Sequence, residues 1–164
     1  MFFSNHKQRN TMKMEICAAC SASVGASSAM AAEPQQVGPF AVGEPSTAYA
    51  QYFTGNSYLN RLTTQGVSTA NVTFEPGCRN NWHIHHNGGQ ILLVTGGEGF
   101  YQEWGKAPQR LKAGDVVNIA PEVKHWHGAT ATSWFAHISI EVPAEGASNE
   151  WLEPVSDEEY KKIQ

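Results

Sequence analysis

From Tyr49 onward, the apolar residues of this chain come in short runs with a period of two, and turn residues end each run before a helix could be established. Val67–Phe74 ("VSTANVTF") sets Ala70, Val72 and Phe74 on one face, and Glu75-Pro76-Gly77 stops it. "WHIH", "QILLVT", "EGFYQEW", "VVNIA", "KHWHG" and "TSWFAHISIE" follow at close intervals, divided by Gly-Gly, Gly-Lys-Ala-Pro, Lys-Ala-Gly-Asp and Pro-Glu-Val. Alternation punctuated in this way is the pattern of short strands. The expected class is therefore all-β, a sandwich or barrel. A chain of 164 residues has room for one such domain with a real core. Its 41% hydrophobic and 16% charged residues suit a packed chain better than a disordered one. The C-terminus departs from the pattern. Ser156-Asp-Glu-Glu159 reads as a capping box, and Asp157–Lys161 and Glu158–Lys162 are spaced as i,i+4 pairs, so a short terminal helix is predicted to start at Ser156.

The first thirty-two residues are of another kind. Lys7, Arg9 and Lys13 precede the small-residue run "ICAACSASVGASSAMAA", and Ala29-Met30-Ala31 offers an A-x-A cleavage pattern. This outline fits either a secretory leader, which would place the mature protein in the periplasm or outside the cell, or a disordered tail on a cytoplasmic protein. Residues 33–48 read as a linker or N-terminal arm and 49–164 as the domain. Cys17-Ala-Ala-Cys20 has no second pair and lies in the suspected leader, so it is not read as a zinc or redox motif. Cys78 is then the one thiol of the remaining chain and is read as a buried spacer. The formal charge is −4, with no Lys/Arg cluster after Lys13 except Lys161–Lys162. That excludes a phosphate-tracking surface, and nucleic acid is not an expected partner. No stretch reaches the ~20 apolar residues of a membrane span.

Four of the seven histidines fall in two H-x-H pairs, His83/His85 and His125/His127. On a strand, residues two apart share a face, so each pair projects together, and both converge if the two strands line one interior. Gln90 opens the strand after Asn87-Gly88-Gly89 and can bring an amide oxygen to the same place. His137, Ser139 and Glu141 alternate with Ile138 and Ile140, giving that strand a polar face. Clustered imidazoles repel when protonated and need partners when neutral, and a divalent cation satisfies them together. A lone histidine such as His6, or His86 beside the cluster, is read as an ordinary surface or hydrogen-bonded residue. Trp82, Trp126 and Trp134 are read as core or pocket wall. Glu141 is read as a charge at the barrel mouth, with orientation of a neighbour as its other use.

The same residues carry a resemblance. "GCRNNWHIHHNGGQILLVTGG" is similar to the first motif of the cupins, G-x5-H-x-H-x3,4-E-x6-G, and "GDVVNIAPEVKHWHG" is similar to the second. The resemblance spans about residues 51–160. It implies a jelly-roll-like β-barrel in which His83, His85, Gln90 and His125 bind one metal ion. Gln90 stands where the general motif has glutamate. With His127 and His137, that departure resembles small single-domain cupins that include the manganese-dependent bacterial hydroxynitrile lyases, and also the cupin segments associated with carboxymuconolactone-decarboxylase-like proteins. In the lyases the positions matching His127 and His137 are pocket histidines, although the His85–Gln90 spacing here is one residue longer.

Neutral nitrogen and oxygen donors without thiolate suit Mn, Fe, Ni, Cu or Zn, and Mn(II) or Fe(II) is preferred. The expected function is a lyase reaction on a small oxygenated substrate, hydroxynitrile-lyase-like or decarboxylase-like in its C–C chemistry, with the metal as Lewis acid and His137 or His127 as general acid–base. Orienting a metal ligand is the other use open to His127. A non-catalytic small-ligand-binding cupin and an Fe(II)-dependent dioxygenase use the same ligands and are the alternatives. Because "QILLVT" and "HISI" are apolar on both faces, a homodimer or higher homo-oligomer is expected.

Overall fold

The structure is a computed structural model that describes residues 33–164. Residues 1–32, read as a leader or a tail, lie outside the described residues, and with them the Cys17–Cys20 pair and His6. Glu33–Gln164 forms one compact unit, an antiparallel β-barrel closed at one side by a short helix. In chain order the strands are β1 (Glu44–Pro45), β2 (Phe53–Thr54), β3 (Ser57–Arg61), β4 (Thr69–Phe74), β5 (Arg79–Asn80), β6 (His83–His86), β7 (Gln90–Glu103), β8 (Gln109–Lys112), β9 (Val116–Ile119), β10 (His125–Ala129), β11 (Phe135–Glu141) and β12 (Ser148–Trp151). A 3₁₀ turn, Thr47–Tyr52, precedes β2, and helix α1 (Asp157–Lys162) ends the chain. The hydrogen-bonded order is β1-β3-β4-β11-β7-β10-β5-β2, with β8 and β9 added on β7 and β6 joining β10 to β12.

The fourteen-residue β7 holds the barrel together. Its first half pairs with β9 and β11, and its second half with β8 and β10. The change of partner falls at Gly96-Gly97. Gly97 has φ +69°, and a Cβ there would lie 1.7 Å from the Trp134 carbonyl oxygen; only glycine admits that approach. At Gly96 a Cβ would meet the Val37 carbonyl oxygen at the same distance. Thr95 has no partner in the register, in which Ala136 opposes Gly96 and His137 opposes Val94. That irregularity, an extra residue on β7, shifts the alternation of β7 relative to β11.

The 33–48 segment lies against the barrel. It runs against β7 at Val37, accepts a hydrogen bond on the Ala41 carbonyl from Asn71 (3.1 Å), and pairs with β3 through Glu44 and Pro45. Short polar segments of this kind carry no period for a sequence pattern to detect.

Two apolar clusters form the core. One fills the barrel around Phe74, Leu92, Val94, Leu111, Ile119 and Phe135, with Cys78 as a member, and burial pushes that thiol up to about 12. The other lies outside β10, where Trp82, Phe100 and Trp126 meet Val155 and Tyr160. Strand β10 is accordingly buried on both faces. The capping box at Ser156 and Glu159 forms as the sequence predicts. Asp157, however, turns to Arg79 (2.5 Å) in place of Lys161. The buried Arg79 guanidinium also donates to the Val155 carbonyl and lies 4.4 Å over the Tyr160 ring, so α1 is tied to the barrel.

Candidate metal centre and pocket

Strand register brings the histidines together. His125 on β10 stands directly opposite His83 on β6, and alternation carries His85 and His127 to the same interior face. The nitrogens of His83, His85 and His125 lie within 4.8 Å of one another, all three residues being buried. Gln90 opens β7 at the edge of this cluster. His127 and His137 stand beside it with ring centroids 4.8 Å apart. All six side chains except His125 line one cavity of about 270 Å³, whose apolar wall includes Phe53, Leu59, Val72, Phe74 and Trp151.

The outer nitrogens of the cluster are already engaged. Nδ1 of His83 donates to the Asn81 carbonyl (2.9 Å), and Nδ1 of His125 donates to that of Val123 (2.9 Å). A carbonyl only accepts, so each ring is held as the tautomer with a bare Nε2. His85 Nδ1 lies 3.0 Å from the Glu141 carboxylate, a contact short of hydrogen-bond alignment. Gln90 donates through Nε2 to Ser139 Oγ (2.9 Å) and Glu141 Oε1 (3.1 Å). The atoms left buried without a protein partner include His85 Nε2, His125 Nε2 and Gln90 Oε1. Buried polar atoms are rarely orphaned, and these are the lone pairs that a cation takes.

Electrostatics agree with that use. Burial holds His83 well below the ordinary imidazole range, with His125 adding to the effect, and burial brings His125 to about 4. Burial likewise depresses His127, reinforced by His137, and lowers His137 to about 4. These rings are neutral at pH 7. The histidine cluster can hold a metal ion, and its donor set fits a divalent one.

His127 and His137 differ in their surroundings. Asn80 accepts from the His127 backbone N–H through Oδ1 (2.9 Å), which turns its amide nitrogen to His127 Nε2 (3.1 Å). That lone pair is occupied. His137 sits between the rings of Phe74 and Phe135 (5.6 and 5.5 Å), and neither of its nitrogens has an aligned protein partner.

Sequence reasoning missed Asn80 and Trp151. Asn80 belongs to the polar run Arg79-Asn80-Asn81 just before the first H-x-H, an unusual stretch to bury, and all three are buried. Trp151 comes from β12, where its ring lies 4.8 Å from His83 and stacks on Tyr52. Nothing near it in the sequence signals that placement. Glu141 is not simply a charge at the mouth. Burial pushes its carboxyl up, but His85, Gln90 and Ser139 outweigh this and leave it lowered. His86 stays outside the cluster, between Glu122 (2.6 Å) and Glu150 (2.9 Å), as an ordinary surface histidine. Trp82 and Trp126 are core residues.

Comparison with known proteins agrees with the geometry. Residues 70–140 match the cupin domain. The (R)-mandelonitrile lyase of Granulicella tundricola is 41% identical over 117 residues, spanning 69% of this chain and 88% of that protein. The chain belongs to the cupin superfamily. A solved cupin-like protein from Thermotoga maritima resembles this cupin with a TM-score of 0.71 and 44% identity, covering 76% of this chain and 96% of that one. Among the described residues of the cupin, no helix is long and apolar enough to cross a membrane.

Proposed function

We propose that this cupin is a metal-dependent lyase in which His83, His85, Gln90 and His125 hold one divalent ion, Mn(II) or Fe(II) by preference, and His137 moves the proton. The observation that carries the reading is the set of orphaned, inward-facing atoms, His85 Nε2, His125 Nε2 and Gln90 Oε1, beside a buried imidazole that is also without a partner. When bound, the ion supplies Lewis-acid chemistry, since four neutral donors leave its charge free to polarise a substrate oxygen. The 41% identity to a mandelonitrile lyase supports a hydroxynitrile or related small oxygenated substrate.

The chain's own residues do the rest. The wall of Phe53, Val72, Phe74 and Trp151 takes the apolar body of the substrate and excludes water. His137, neutral at pH 7, accepts the hydroxyl proton as the bond to the leaving carbon breaks and hands it to the departing cyanide, which restores the neutral ring. His127 is the weaker candidate for this task because Asn80 occupies its Nε2.

The test is cyanide release from mandelonitrile under nitrogen by Mn-loaded protein. His137→Ala should retain one equivalent of metal and lose about 10²–10⁴-fold in rate. Full metal occupancy in the His83→Ala/His125→Ala double variant would overturn the ligand assignment. Oxygen uptake with Fe(II), with no anaerobic turnover of hydroxynitriles, lactones or hydroxy acids, would transfer the reading to a dioxygenase.

A further inference from the structure

The Gln90 amide has two chemically opposite ends, and only the oxygen can face a cation. The neighbouring strand makes the selection. Glu141 is the register partner of Gln90 across β7 and β11, close enough for their side chains to meet on the shared inner face. A carboxylate only accepts, so the Gln90 nitrogen must face it, and Oε1 is turned inward with no protein partner. The second oxygen of the same carboxylate lies 3.0 Å from His85 Nδ1, where an acceptor keeps the proton on that nitrogen and leaves Nε2 bare. For His83 and His125, main-chain carbonyls do this. His85 has no such carbonyl, and Glu141 stands in the equivalent place.

We propose that Glu141 is a positioning residue for the metal site. One carboxylate orients two of the four ligands, His85 and Gln90, and it sets one negative charge a single contact behind a ligand shell that is itself neutral. Ser139 assists by accepting from Gln90 (2.9 Å) and donating to Glu141 (3.4 Å). The inference rests on the metal reading above and adds the residue that makes a glutamine serve as an oxygen ligand.

The isosteric variant is the informative one. In Glu141→Gln the new amide can donate to Gln90 Oε1 and draw it from the cluster, whereas Glu141→Ala leaves Gln90 with Ser139 as its acceptor and imposes no wrong orientation. Mn(II) affinity, read by competition with a chromophoric chelator, should therefore fall about 10–100-fold in Glu141→Gln and less in Glu141→Ala. The Mn(II) paramagnetic resonance spectrum should change in both, and exposed Glu153→Gln should match the parent. A role confined to packing gives the reverse order, with Glu141→Ala the worse variant and its metal-free melting temperature lowered. That order, or parental affinity in Glu141→Gln, overturns the proposal. Failure of the parent protein to bind any metal overturns the metal reading itself.

Discussion

Replacing His137 with leucine should make the metal-free protein more stable, and increasingly so in acid. The ring lies between Phe74 and Phe135, in surroundings that suit an aliphatic side chain, and both of its nitrogens are buried without an aligned protein partner. Removing such a group recovers its desolvation cost, about 1–2 kcal/mol. Protonation adds a pH-dependent part. Burial lowers this histidine to about 4 from 6.5, so below pH 6.5 the unfolded chain takes the proton first. The wild-type contribution is therefore complete above pH 6.5 and is lost as pH falls through 4. Each pH step below 6.5 costs the folded state about 1.36 kcal/mol, so by pH 5 the loss at this single site is about 2 kcal/mol. Urea unfolding of chelator-treated protein at pH 8, 7, 6 and 5 measures the difference directly. The leucine variant should be ahead by about 1–2 kcal/mol at pH 8 and by about 3–4 kcal/mol at pH 5. Parallel stability profiles over that range, or a variant less stable at every pH, would refute the claim that His137 is an uncompensated buried base kept for chemistry.

Arg79→Met should cost about 2 kcal/mol in thermal or chemical unfolding, since it removes the donors to the Val155 carbonyl and the cation over Tyr160, and limited proteolysis should then find α1 detached. Leu93 and Val116, register partners on β7 and β9, leave Val116 61% exposed beside the half-buried Leu93. Light scattering at micromolar concentration should give a homodimer, and Val116→Asp should give a monomer.

The strand pattern, the helix start and the histidine cluster were legible because each depends on short-range order. Alternation by two fixes which side of a strand a residue faces, so His83 with His85 and His125 with His127 could be paired without knowing their neighbours. Glu141 and Asn80 were not legible in their roles. Glu141 meets Gln90 only because β11 lies against β7 in one register, reset at Thr95, and no local rule predicts a register between residues fifty-one positions apart. Asp157 shows the same limit in reverse. Its spacing favours Lys161, but a buried arginine seventy-eight residues earlier in the chain is the stronger partner.

The supply of side chains to the cavity is divided by strand. The clustered His83, His85 and His125 and the neighbouring Gln90 come from β6, β7 and β10, whereas Leu59, Ala70, Val72 and Phe74 on the opposite wall come from β3 and β4. Chemistry and molecular shape are thus written in separate stretches of the gene. A lineage could enlarge or narrow the chamber by changing Ala70 or Val72 while the histidines of the cluster and Gln90 stay in place, so that the shape of the cavity can vary independently of its polar lining.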